Sequence, residues 1–324
     1  MRALVTGANG FLGGWLVRRL LAEGHSVRAL VRPGSEPGPL AGLDVELARG
    51  DVTDAASLPA AVRDRDVVFH LAGIRRAPRR EDFFRVNAEG TRMLLEACAA
   101  HAPGLARFVL CGSLASVGPS AVPRREEDPF APREWYGESK AESERLTLSF
   151  SGRLPVTVAR PTRITGPGDR ENLLFFRLAS RGIHLAFGRQ ERPLSWVDVE
   201  DCARAMVLLA ERPEAVGQAF FVASPDLTSI EGLQREVARA LGRRTRTVNI
   251  PPAVLRGVGS LADVASRLLG RHLPINRKLV EQVLAPGWVC DPGKARRVLG
   301  FETRVALGDS LDRSAAWYRK VGWL

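Results

Sequence analysis

Two side chains four residues apart, Tyr136 and Lys140, form the pair in this chain best suited to moving a proton. Residues at that spacing on a helix share a face, with Cβ atoms about 5–6 Å apart, so a phenol and an ammonium can reach one site. At an effective dielectric near 20, a positive charge ~5 Å away favours the phenolate by about 3 kcal/mol, which suits proton transfer near neutrality. The chain holds only two tyrosines and four lysines, so the coincidence is scarce by composition. An exposed helix can carry the same spacing with no chemistry, so the pair gains meaning from its surroundings. Upstream, the apolar run 108–110 ends in Cys111-Gly112-Ser113, whose hydroxyl is a candidate to hold the reacting group.

A second feature says what such a proton would accompany. Thr6-Gly7-Ala8-Asn9-Gly10-Phe11-Leu12-Gly13 follows the apolar run Ala3-Leu4-Val5 and precedes a stretch, 14–21, that is apolar on one face. This is the layout of strand, glycine turn and helix. Glycines spaced by three let the backbone turn tightly and approach a ligand where a side chain would clash. The helix behind them turns free N–H groups and its positive end toward the place of a pyrophosphate. At the first strand of an alternating chain, the pattern reads as a dinucleotide site rather than a bare tight turn.

The elements that must position these residues alternate regularly. Apolar runs at 27–31, 45–47, 67–69, 108–110 and 156–158 read as strands, and Gly24 reads as the cap of the first helix. Residues 86–97 carry Val86, Met93, Leu94 and Ala97 at helical spacing. Strands alternating with helices predict an α/β doubly wound parallel sheet, with ligands at the carboxyl ends of the strands. After the second strand stands Arg32, suited to the 2′-phosphate of NADP where an NAD site usually carries an acid. After the third comes Asp51, which could accept from an adenine amino group or cap the next helix; Asp54 suits capping better.

Composition narrows the class. The net charge is +11, but 43 of the 47 basic residues are arginines spread over the chain, without the stripe or motif of a nucleic-acid binder. One local cluster is Arg75-Arg76 with Arg79-Arg80. Cys98, Cys111, Cys202 and Cys290 show no metal spacing and read as reduced core residues; no metal is expected. No apolar run approaches the roughly 20 residues of a membrane span, and the early glycine turn leaves no room for a leader, so a cytoplasmic protein is expected.

Taken in order, Thr6-Gly7-x-x-Gly10-x-x-Gly13, Asp51-Val52, His70-Leu71-Ala72-Gly73, Asn87-x-x-Gly90-Thr91, Ser113, Tyr136-x-x-x-Lys140, Arg160-Pro161, Gly166-Pro167-Gly168-Asp169 and the stretch from Val197 to Asp201 resemble the extended short-chain dehydrogenase/reductases. The likeness spans essentially the whole chain. Leu30-Val31-Arg32-Pro33 and the tail near Trp288 look most like the dihydroflavonol-reductase and 3β-hydroxysteroid-dehydrogenase-like branch. The resemblance implies that Tyr136 protonates a carbonyl oxygen, Lys140 assists it and binds the nicotinamide ribose, and Ser113 holds the same oxygen. It implies that Gly7, Gly10, Phe11, Leu12 and Gly13 cradle the pyrophosphate, and that Leu71, Ala72 and Gly73 line the cofactor with Val52 and Pro161. Asn87 is expected to be structural. Ser113 stands between Gly112 and Leu114 rather than in a serine run, and Asp198 stands where the family often has histidine.

The dinucleotide-binding domain is expected at 1–161 plus 195–223, and a substrate lobe at 162–194 plus 224–324. Within the lobe, 251–270 reads as an amphipathic helix covering the pocket, with a membrane-surface role the lesser reading. Arg75, Arg76, Arg163 and Arg189 could greet an acidic substrate at the mouth, though surface arginines suffice to explain them. The leading expectation is an NADP-dependent homodimeric reductase, with NAD as the other cofactor, acting on a ketone or aldehyde of a small hydrophobic or acyl-linked substrate. The alternatives are a nucleotide-sugar epimerase or dehydratase with tightly held NAD, and a non-catalytic dinucleotide sensor.

Overall fold

The computed structural model describes residues 1–188, 191–269 and 277–324. Strands β1 (Arg2–Thr6), β2 (Ser26–Val31), β3 (Glu46–Arg49), β4 (Val67–His70) and β5 (Arg107–Cys111) join Val156–Pro161 and Ala219–Val222 in one seven-stranded sheet. Its order is Ala219–Val222, Val156–Pro161, β5, β4, β1, β2, β3, and every neighbouring pair is parallel. Parallel neighbours require crossovers, and helices supply them on both faces. Alternation along the strands fills both layers: Phe69 and Val109 pack with α1 (Phe11–Ala22) and the helix Val199–Glu211, while Val68, Phe108 and Leu110 pack with the helix Gly90–His101. The chain passes from the β3 edge to β4 on the far side of β1, so the order reverses beside β1. A crevice opens there at the carboxyl ends of the strands.

Two local expectations change. The third strand starts at Glu46 rather than Val45, because Leu43 and Val45 pack against the core as the chain enters a largely exposed edge. Residues 86–97 are not one regular helix; a π-helical turn, Phe84–Glu89, precedes Gly90–His101. Such wide turns sit where a side chain is re-aimed, here that of Asn87. Gly24 follows the first helix at φ +77°, as a capping glycine should, and Asp54 Oδ1 accepts from the Ala56 N–H (3.1 Å). Among the described residues the four cysteines are unpaired; Cys98, Cys202 and Cys290 are buried.

A second region assembles beyond the strand ends. Arg163–Thr165 runs parallel to Trp196–Asp198, and the helices Leu173–Ser180, Ile230–Ala240 and Leu307–Lys320 share a core around Phe176 and Tyr318, whose rings meet edge to face at 4.9 Å. The helix Pro252–Leu269 does not cover the pocket as expected. Its Gly259 packs against Val280 and Arg277 of the next helix, which leaves Val254, Val258, Leu261 and Val264 exposed to solvent. Arg189 and Gly270 lie outside the described residues. No helix among those described is long and apolar enough to cross a membrane, and no group of three or more metal-ligating side chains occurs among them.

Candidate active site

The site begins with backbone. Gly7 turns at φ +66°, and a Cβ there would lie 2.7 Å from the Ala72 nitrogen at the end of β4. At Gly13 a Cβ would fall 2.1 Å from the Gly7 carbonyl oxygen, so the first turn of α1 can close against the loop only without a side chain. No side chain caps α1, and its first N–H groups remain open toward the crevice. A bare, uncapped helix start behind a side-chain-free turn is what a dinucleotide pyrophosphate requires, and the residues fit NAD or NADP.

From this turn a cavity of about 1320 Å³ extends along the strand ends. It is lined by Gly7, Gly10, Phe11, Leu12 and Gly13, by Leu71 and Gly73 after β4, by Ser113 after β5, by Tyr136 and Lys140, and by Pro161. Arg32, Asp51, Val52 and Ala72 are not on its walls. Arg32 is exposed after β2, Val52 is buried beneath Gly90, and the Asp51 carboxylate accepts from the Thr53 N–H and hydroxyl (2.9 and 2.8 Å).

Tyr136 and Lys140 stand on the helix Trp135–Ser149, which Glu134 caps by accepting from the Tyr136 and Gly137 N–H groups, both at 2.7 Å. Burial pushes the Glu134 carboxyl above its usual range. Lys140 is 6% exposed, and its Nζ donates to the Cys111 carbonyl at 2.6 Å, which ties the ammonium to the end of β5. The buried pair of Arg160 Nε and Glu144 Oε2 (2.7 Å) holds Glu144 so that its Oε1 accepts from the Ser113 N–H (3.2 Å). Arg75 lies with its guanidinium 5.8 Å from the Tyr136 ring centre.

Behind these walls His70 threads a hydrogen-bond chain. Thr91 donates to the Asn87 carbonyl (2.6 Å), so its oxygen must accept from His70 Nε2 (2.9 Å). The Thr6 hydroxyl then donates to Nδ1 (2.8 Å) and accepts from the Ala72 N–H (3.1 Å). Burial pushes His70 down to about 3, with the Lys140 charge a lesser cause, and this chain needs the neutral ring. Asn87 Oδ1 accepts from the Ile74 N–H (2.8 Å) and its Nδ2 donates to the Ile74 carbonyl and to Ser139 Oγ (3.0 and 2.9 Å). It therefore splints the β4 loop to the Tyr136 helix.

The opposite wall escaped the sequence reading. Arg313, Trp317, Lys320 and Trp323 line the cavity from the last helix and the tail. Tyr318 Oη donates to the Asp169 carbonyl, and Trp15 Nε1 donates to that of Pro167 (3.1 Å), so the 166–172 loop is clamped from both sides. Asp198 caps its helix by accepting from the Glu200 N–H (2.8 Å) and pairs with Arg313 (2.8 Å). The basic cluster is largely paired: Arg76 with Glu171, Arg79 with Asp82, and Arg80 with Glu138.

The profile of the NAD dependent epimerase/dehydratase family matches residues 3–223. A ceramide reductase of Caulobacter vibrioides is 30% identical over 99% of this chain and 95% of its own. A sterol demethylase protein B of Methylococcus capsulatus is 32% identical over the full length of both. The crystal structure of gox2253 superposes with a TM-score of 0.83 at 28% identity, covering 99% of each chain. With the parallel sheet and its glycine turn, these likenesses make the protein an NAD(P)-dependent oxidoreductase of the extended short-chain type, a member of the NAD-dependent epimerase/dehydratase family.

Proposed function

We propose that this chain reduces the ketone or aldehyde of a small, hydrophobic or acyl-linked substrate with NADPH. The carrying observation is the convergence of Ser113, Tyr136 and Lys140 on the cavity that the glycine cradle opens. When bound, the cofactor supplies the hydride. The Tyr136 hydroxyl gives its proton to the carbonyl oxygen, and the Ser113 hydroxyl donates a hydrogen bond to the same oxygen. Lys140, fixed by the Cys111 carbonyl, favours the tyrosinate left behind and holds the nicotinamide ribose.

Preference for NADP rests on Arg32, whose loop is braced by Arg49 donating to the Arg32 and Ser35 carbonyls (3.4 and 3.0 Å). Asp51 and Val52 stand at the adenine end of the same reading, with Ala72 beside the cofactor through its backbone. An apolar substrate is supported by Phe11, Trp15, Ile164 and Trp317 on the cavity walls, and by relatives named for ceramide and sterol chemistry. The lobe boundaries and the cytoplasmic homodimer set out above belong to the same proposal. A screen of ketones, aldehydes and nucleotide sugars that follows NADPH oxidation tests it. Turnover of carbonyl compounds with NADPH is expected; conversion of a sugar nucleotide without net cofactor oxidation supports the epimerase reading instead.

A further inference from the structure

Within that same cavity, Arg163 is a cation without a carboxylate partner among the described residues. Arg163 follows the strand Val156–Pro161 and lines the cleft with Tyr136 and Ser113. Its Nε and Nη2 both donate to Asn172 Oδ1 (2.9 and 2.5 Å), a neutral acceptor, and its Nη1 meets no acceptor among the described residues. No carboxylate lies within 4 Å of it among those residues. Asp169, the nearest acid in influence, spends its oxygens on the N–H groups of Glu171 and Asn172 (2.7 and 3.2 Å), and Glu171 is taken by Arg76 and Arg75 (2.8 and 3.9 Å). Burial pushes the Arg163 guanidinium below its usual value.

Asn172 backs Arg163 from behind and does not itself line the cavity. It is 1% exposed, the two arginine donors fix which side-chain atom is Oδ1, and its Nδ2 is buried without a partner. Arg163 is on the cavity wall with its Nη1 unpaired among the described residues, and such a charged donor matches an anionic oxygen.

Resting on the reductase reading, we propose that Arg163, backed by Asn172, is a specificity-determining anion subsite, so that the natural substrate is a carbonyl compound carrying a carboxylate or phosphate. The carbonyl sits at Tyr136 and the anion at Arg163. Arg75, on the same wall, adds positive potential without being required for the contact.

The test uses the full chain with NADPH, and oxo acids of one chain length with the carbonyl at successive carbons, each against its methyl ester. At the favoured carbonyl position the acid should exceed the ester in kcat/KM by about 10–100-fold, the worth of one charge-assisted hydrogen bond. Arg163→Met should erase that ratio, chiefly by slowing the acid, and Arg163→Lys should restore part of it. Octanoate and octyl phosphate, which have no ketone or aldehyde to reduce, should quench tryptophan fluorescence on binding in wild type and lose that binding in Arg163→Met; octanol should not bind comparably. The tighter of the two anions identifies carboxylate or phosphate as the source. If Arg163→Met melts early, Asn172→Asp serves instead and should weaken the anions by repulsion. Equal turnover of acid and ester, or an acid preference that survives Arg163→Met, overturns the subsite while leaving the reductase reading intact. Anion binding that depends on Arg163, with no NADPH oxidised by any compound, leaves the subsite standing and sinks the reductase reading.

Discussion

The glycine cradle at the end of β1 and the wall built around Arg163 face one cavity but are made on opposite plans. At the cradle the open donors are backbone N–H groups at the start of α1, and the side chains behind it satisfy one another: Thr6, His70, Thr91 and Asn87 pass hydrogen bonds from one to the next, and Lys140, Glu134 and Glu144 each have fixed acceptors or donors. At the wall, Arg163 lines the cavity with a side-chain donor in hand, braced from behind by Asn172. On the proposed function, the difference separates the half that would hold the cofactor from the half that would meet the substrate. Preorganised groups suit a fixed hydride geometry. Unsatisfied donors suit a ligand that must be told apart from its neighbours, because the wrong ligand leaves them unpaired.

Breaking the cradle side should cost most. Tyr136→Phe keeps the packed ring and removes the proton, so kcat should fall by about 10²–10⁴-fold while NADPH affinity, read by fluorescence titration, stays nearly unchanged. A wild-type-like rate removes Tyr136 from the mechanism. Next in size is Glu144→Ala, which leaves Arg160 buried without its partner (3% exposed) and frees the Ser113 backbone. Loss of about 3–5 kcal/mol in urea unfolding is expected, with catalysis reduced in the surviving folded enzyme.

Smaller effects sharpen the contrast. Arg32→Asp should weaken NADPH more than NADH by about 1.5–3 kcal/mol, the worth of one charge-assisted contact; equal affinities for both cofactors in wild type exclude that role. His70 supplies a pH signature. Its folded value near 3 lies below its ordinary 6.5, so between these the unfolded chain binds the extra proton and stability rises with pH. Its contribution is complete above 6.5 and shrinks as pH falls, by up to about 1.4 kcal/mol per unit. His70→Asn should be less stable at pH 7.5 but show a shallower acid slope in paired urea melts. The smallest effect is expected on the helix Pro252–Leu269, where Leu261→Glu, at a position 71% exposed, should change stability by less than about 0.5 kcal/mol.

This ordering also explains what was legible in the sequence. The glycine turn, the strand rhythm and the Tyr136–Lys140 spacing are local patterns, and local patterns survive in one dimension. Glu134, two residues before the tyrosine, could have been read as a cap, but glutamate is not among the preferred capping residues. Arg160, an arginine inside an apolar strand, signalled a buried partner without saying which of the acids it meets. The wall of Arg313, Trp317 and Trp323 left no local trace, since it reaches the cavity through contacts such as Tyr318 to Asp169, 149 positions apart. Helix 252–269 misled because amphipathicity says that a helix has two faces, not which one meets the pocket. Gly259 and Val280 decided that by packing.

The most direct test of net carbonyl reduction is stoichiometry with labelled cofactor. Purified enzyme, deuterated NADPH and a carbonyl substrate found by screening should give one NADPH oxidised per product released, with the deuterium on the former carbonyl carbon. Product formed with no net oxidation, or without the label, would contradict the account and place the chemistry among reactions that return the hydride to their own substrate.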